Sequence, residues 1–399
     1  MAILRVLAIL VAASFAALPA RAGEVERGRY LATLGDCAIC HTAPGQSSRP
    51  YAGGYPLHAT FGTVYSTNIT PDDETGIGRW SKDRFYRALH DGIGADGRHL
   101  YPAFPYVYFA RLPRADVDAI YDYLRTVKPV RATPPPNNLM FPTNLRFGMA
   151  AWNALFLDRT PLKPDPSKSA PWNRGAAIVN GLGHCGGCHT PKNVLFADKP
   201  GRFLQGETID GWYAPNLTGS RRTGLGEWTA ADIATYLETG SNRFGRAVGA
   251  MQDVVRVSTS HMTDADRAAI AAYLKSLPPA PEAPPRKPDA AQMQLGQAVF
   301  AERCAVCHAT DARSYPPLAH NAVARLPDPA TVLRVILQGS QSVPAPGKRP
   351  GFSMPAFPVL TNEELAAVAT YVRNSWDNDA GPVSPKEAAA IRKRLEPPG

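Results

Sequence analysis

The sequence predicts a mainly α-helical chain of three tandem modules, the first two an internal duplication. Three observations predict it. One cysteine–histidine motif occurs three times, a long stretch repeats at a fixed offset, and amphipathic helical patterns bracket each motif. The motifs are Cys37-Ala38-Ile39-Cys40-His41, Cys185-Gly186-Gly187-Cys188-His189 and Cys304-Ala305-Val306-Cys307-His308, and they use all six cysteines of the 399-residue chain.

The chain opens with Arg5, an apolar run from Val6 to Leu18 and Ala20-Arg21-Ala22, a pattern that reads as an export signal over residues 1–22. The apolar run is shorter than the ~20 residues that span a bilayer. The first module is expected over 23–130, the second over 171–279 and the third over 289–380. Residues 131–170 form a linker with a helix of its own near Arg146–Leu157, residues 280–288 a proline-rich connector, and 381–399 a tail.

The offset from Cys37 to Cys185 is 148 residues, and the same offset carries Asn68 to Asn216, Trp80 to Trp228 and Gly92 to Gly240. Asn68-Ile69-Thr70 answers Asn216-Leu217-Thr218, and Thr75-Gly76-Ile77-Gly78-Arg79-Trp80 answers Thr223-Gly224-Leu225-Gly226-Glu227-Trp228. The third module lacks this insertion. Its Gly339 follows Cys304 by 35 residues, against 55 from Cys37 to Gly92.

Helical periodicity places an opening helix before each motif (24–34, 173–182, 292–302) and a closing helix at each module's end (116–127, 264–277, 362–376). Gly28, Gly175 and Gly296 fall where two helices could pack closely. Thr263-x-x-Asp266 and Thr361-x-x-Glu364 read as capping boxes, whereas the first closing helix has Pro113 at that place.

C-x-x-C-H is the attachment signature of haem c. Two thiols at this spacing meet two vinyl groups on one porphyrin edge, and the adjacent histidine faces the iron. A disulfide framework would not require the histidine, and a zinc site needs four ligands where each cluster offers three. The expectation is three covalent haem c groups in three class I cytochrome c-like domains, held by Cys37, Cys40, Cys185, Cys188, Cys304 and Cys307 with His41, His189 and His308 on iron. Without Arg5 and Arg21 of the export signal the net charge of +9 falls to +7, which haem propionates largely offset, so it signals no nucleic-acid partner.

A methionine in the sixth position closes the iron to ligands and raises its potential. Met354 lies 46 residues after His308 and before the closing helix; Met251 lies 62 after His189 in a glycine-bearing loop, with Met262 and His261 read as helix-start residues. The first module has no counterpart, since Ala103 and Tyr101 stand at the aligned positions. Met149 on the linker helix is the candidate there, with Met140, His58, His90, His99 or an open iron as alternatives.

With these motifs, Tyr101-Pro102-Ala103-Phe104-Pro105-Tyr106 and Met149-Ala150-Ala151-Trp152-Asn153, the mature chain resembles the trihaem cytochrome c subunits of bacterial membrane-bound dehydrogenases. That group includes the cytochrome subunits of quinoprotein alcohol, gluconate-type flavin, and molybdenum aldehyde or N-heterocycle dehydrogenases. The resemblance implies a periplasmic electron-transfer subunit, not catalytic alone, peripherally attached to the outer face of the inner membrane. It would take electrons from a catalytic subunit of PQQ, FAD or molybdenum type, accompanied in some complexes by a small subunit, and pass them to ubiquinone. Phe104 departs from the methionine of many alcohol-oxidising members. A free electron shuttle and a multihaem peroxidase are the other two readings.

Overall fold

The computed structural model describes residues 22–59, 61–308, 317–341 and 353–396. The expected export signal, apart from Ala22, lies outside the described residues. The described chain is mainly α-helical and forms two compact units. The first takes in residues up to Pro164 together with Asn180–His184, and the second takes in Asp165–Val179 and the chain from Cys185 onward.

Each module is built on a crossing of its opening and closing helices. The opening helices are residues 22–34, Ala170–Ala177 continued by a π-helical turn at Ile178–Leu182, and Ala290–Arg303. The closing helices are Arg114–Leu124, Asp264–Lys275 and Asn362–Arg373. A Cβ on Gly28, Gly175 or Gly296 would stand 1.9, 1.9 or 2.2 Å from the carbonyl oxygen of Ala119, Ala269 or Ala367. Only a residue without a side chain lets the two backbones approach this closely.

Caps follow the sequence with one difference. Thr361 and Glu364 form the full reciprocal box. Thr263 accepts from the Asp266 N–H, but the Asp266 carboxylate takes two 2.8 Å bonds from Arg174 on the opening helix. A charged two-pronged contact is stronger than the neutral return bond of a capping box.

In the first unit, Pro56–Ala59 and Gly62–Tyr65 form an antiparallel hairpin, and Asn138–Leu139 adds a third strand. The linker helix appears at Gly148–Phe156 and buries Trp152 and Asn153. Residues expected as a connector therefore complete the first module. In the second unit, the second and third modules are joined directly. Ala322 N donates to Phe244 O at 2.7 Å, Tyr213 N to Thr331 Oγ1 at 3.0 Å, and Arg325 to Glu227 at 2.7 Å.

The described part of the segment expected as a tail, 381–396, packs on the third module. Ser384 and Glu387 cap a helix over Pro385–Leu395, whose Ala388 and Ile391 enter the third core beside Leu333, Ile336, Leu365 and Val368. The three- and four-residue apolar spacing from Ala388 to Leu395 is the physical reason.

Two outcomes test this packing. Gly296→Ala should cost about 1–3 kcal/mol by overpacking, read from denaturant unfolding of the holoprotein. Arg325 holds the Glu227 carboxyl below its ordinary value, chiefly by their hydrogen bond. The folded pKa is therefore lower than the unfolded one. This contribution is present above the ordinary carboxylate range and is lost as pH falls through the depressed value. Glu227→Gln should cost about 1–2 kcal/mol at pH 7 and remove that part of the acid dependence, as read from melting temperatures across pH 3–7.

Candidate haem sites

In each module the motif forms a single helical turn: Cys37–Cys40 holds both cysteines with His41 at its C-cap, whereas Gly186–His189 and Ala305–His308 hold the second cysteine and the histidine. Such a turn keeps both thiols and the imidazole on one short stretch of chain. Burial pushes the Cys37 thiol up to about 12 and the Cys304 thiol up to about 11. Such apolar surroundings suit thioether attachment to an apolar ring edge. Among the described residues no group of three or more His, Cys, Asp and Glu is placed to hold a metal ion.

The histidine rings are oriented from behind. His41 Nδ1 lies 2.6 Å from Thr67 O and His189 Nδ1 lies 2.7 Å from Pro215 O, both 26 residues further along the chain. A carbonyl can only accept, so Nδ1 carries the proton and the lone pair stays on Nε2, the atom an iron would take. Burial lowers the pKa of both rings, and of His308, favouring the neutral ligand form.

The carbonyl loops are held by the duplicated asparagines. Asn68 and Asn216, directly after the two acceptors, are buried at 3% and 4% exposure. Their Oδ1 atoms accept from Thr70 N at 2.9 Å and Thr218 N at 2.8 Å. The Nδ2 of Asn68 donates to Thr75 Oγ1 at 2.9 Å and to Val130 O at 2.7 Å. In sequence these residues are only markers of the repeat. Their constant position one residue after the histidine's acceptor gives them a function.

The third site is a cavity lined by Cys304, Cys307, His308 and Met354, with Ile336 and Phe357 among its apolar walls. Met354 exchanges two backbone bonds with Ser340, at 2.8 and 3.0 Å. Gly339, at φ 73°, makes the approach possible: a Cβ there would lie 2.4 Å from Met354 O. The donor set, the neutral imidazole and the apolar walls fit a haem c. A haem bound here would supply one-electron redox chemistry; Cys304 and Cys307 would hold it covalently, His308 and Met354 are the side chains that could ligate its iron, and Ile336 and Phe357 would exclude water from it.

The other methionines are placed less directly. Met251 is half-buried at the start of the helix Ala250–Val257, behind Gly249, where a Cβ would meet the Trp212 ring at 2.5 Å. Met262 is buried at 6% at the end of a short 3-10 turn, as expected of a helix-start residue. Met149, half-buried, precedes Trp152 and Asn153 by one helical turn and shares their face, which packs into the first unit. Met140 is 58% exposed.

The same asparagine contacts His99. Asn153 Nδ2 donates to Asp91 O at 3.3 Å, which fixes the amide orientation, and it lies 3.1 Å from His99 Nδ1. In this arrangement His99 Nδ1 accepts from the amide, which places its proton on Nε2. His90 is stacked on Tyr86 with Nδ1 on Asp91 at 2.9 Å, and His58 Nδ1 bonds Thr63 Oγ1 at 3.1 Å.

Attachment turns, oriented neutral imidazoles and a thioether across an apolar cavity define a haem-carrying electron-transfer protein. The cytochrome c family model matches residues 25–128, 173–278 and 293–376, and the chain belongs to the cytochrome c family. It is similar to a subunit of the nicotinate dehydrogenase of Pseudomonas putida, 42% identical over 90% of this chain and 31% of that protein. It is 37% identical to the gluconate 2-dehydrogenase cytochrome c subunit of Pantoea cypripedii, covering 96% of this chain and 94% of the relative. The cytochrome c subunit of the quinone alcohol dehydrogenase of Gluconobacter oxydans is 38% identical, over 96% and 86%. The chain spans about a third of the first of these relatives and most of the other two. Its role is electron transfer by covalently bound haem c, rather than catalysis on its own.

Asn216→Ala should remove the support of the Pro215 carbonyl. The expected result is a loss of about 1–3 kcal/mol of stability and a displaced potential for one haem. Denaturant unfolding and redox titration of the holoprotein check the two effects, and Asn68→Ala should move a different haem.

Proposed function

We propose that the chain is the trihaem electron-transfer subunit of a periplasm-facing dehydrogenase complex. His41, His189 and His308 serve as proximal ligands, and Met251, Met354 and Met149 take the opposite positions. The observation that carries this reading is the coincidence of three attachment turns with relatives that match over nearly the whole chain and are named as cytochrome subunits of dehydrogenases. Those relatives act with different substrates, so the substrate belongs to the catalytic subunit, of PQQ, FAD or molybdenum type. Ubiquinone is the acceptor, and a small subunit can accompany the pair.

Attachment to the outer face of the inner membrane is peripheral in this reading. Among the described residues no helix is long and apolar enough to cross a membrane. Residues 138–157 contain one charged side chain, Arg146, and expose Phe141 at 77%, Phe147 at 76% and Leu155 at 71%. Aromatic and aliphatic side chains of this kind favour the lipid–water boundary.

Purified holoprotein should contain three haems by pyridine haemochrome and mass, oxidise no alcohol, aldehyde or sugar acid alone, and be reduced within a turnover when its co-purifying catalytic subunit and substrate are added. Reduction by an alcohol without a partner, or two haems per chain, would overturn this reading. Met354→His should lower the potential of one haem, because replacing thioether by imidazole stabilises the ferric iron.

A further inference from the structure

The cavity that holds Cys304, Cys307, His308 and Met354 is not built from the third module alone. Arg246 and Val248 of the second module also line it. We infer that Arg246 is a positioning residue of the third haem site. It is a cation supplied across the module boundary that raises the potential of that haem and favours its propionate edge. This inference rests on the proposed third haem.

The geometry that places Arg246 there is specified from both sides. Its backbone pairs with Ser241 in the hairpin Ser241–Asn242/Gly245–Arg246, closed by Ala247 N donating to Gly240 O at 2.8 Å. The tip of the hairpin is fastened to the third module. Phe244 O accepts from Ala322 N at 2.7 Å, and a Cβ on Gly245, at φ 137°, would lie 3.2 Å from Asn321 Nδ2. Asn321 is itself buried and lines the same cavity. Its Oδ1 accepts from Val323 N at 3.0 Å and Ala324 N at 3.2 Å, and its amide donates to Pro317 O at 2.8 Å.

The internal repeat sharpens the assignment. Arg246 stands 148 residues after Arg98, and Gly245 after Gly97. Arg98 is tied to Asp96 at 2.6 Å on an exposed turn. The position of Asp96 is Phe244 in the second module, and that ring stacks on Trp228 with centroids 5.1 Å apart. One ancestral arginine position has thus been given to a local carboxylate in one copy and to a neighbouring haem cavity in the other. The third module's own cavity arginine, Arg303, is exposed and lies 3.0 Å from Glu302, so its charge is partly offset.

A cation beside a haem stabilises the state with one more electron, and the apolar walls weaken screening of that charge. Removal of the Arg246 charge should lower the reduced-to-oxidised ratio of the third haem about three- to tenfold at fixed solution potential, roughly 30–59 mV.

The test is a spectroelectrochemical titration of the full holoprotein, with the third haem identified as the centre displaced in Met354→His. In Arg246→Gln that centre should move to lower potential while the other two stay in place, and Arg246→Lys should restore most of the shift. Arg246→Met, which keeps the packed stem, gives the same reading if the glutamine variant is not recovered folded. An unchanged third potential, or a shift at another haem, overturns the inference with three haems still bound. Unmodified Cys304 and Cys307 in the mass spectrum would instead overturn the three-haem reading on which it rests.

Discussion

The hydrogen bond from a histidine Nδ1 to a backbone carbonyl is the constraint around which the duplicated modules are organised. His41 on Thr67 O and His189 on Pro215 O present Nε2 as a fixed, neutral lone pair. A carbonyl can orient a ring only if its own loop is fixed, and the buried Asn68 and Asn216 supply that. Their networks reach past the closing helices, to Val130 O in the first module and, through Thr218 and Ser220, to Ala280 in the second. The chain after each closing helix is thereby tied to the residues that aim the ligand.

The scaffold around these loops depends on close helix crossing. Opening and closing helices meet where a glycine faces an alanine carbonyl, and the same pair recurs in all three modules. The attachment turn follows the opening helix directly, so the crossing sets where the histidine begins. Gly339 repeats this logic at smaller scale, bringing the chain at Met354 against Ser340 so that the thioether reaches the cavity wall.

The second and third modules meet through specific side-chain contacts. Glu227 with Arg325, Thr208 with Asp328, and Arg334 over Trp212 at 4.3 Å each demand one relative placement. Such contacts hold the two attachment turns at one separation. They also let one module contribute a side chain to the other's cavity.

Spacing rules were enough to read the three attachment motifs, the duplication, the bracketing helices and the crossing glycines from sequence, because each is a local or periodic property of the chain. Met354, proposed from its place between a glycine-ended helix and a capped one, lines the cavity that also holds Cys304, Cys307 and His308. The helix at Pro385–Leu395 was missed although its S-P-K-E start and apolar spacing were present, since a terminal segment offers no flanking module to draw the eye to it. The role of Asn68 and Asn216 could not be read, because their meaning depends on a carbonyl facing a histidine 26 residues away. Met149, read from sequence on the apolar side of the linker helix, shares the face that buries Trp152 and Asn153, and His99 contacts Asn153. The sequence by itself determined which atoms can bind haem c, since that chemistry is written in adjacent residues. Tertiary structure alone decided which way the His41 and His189 rings point, and that the third cavity borrows an arginine from the second module, since both depend on hydrogen bonds between distant parts of the chain.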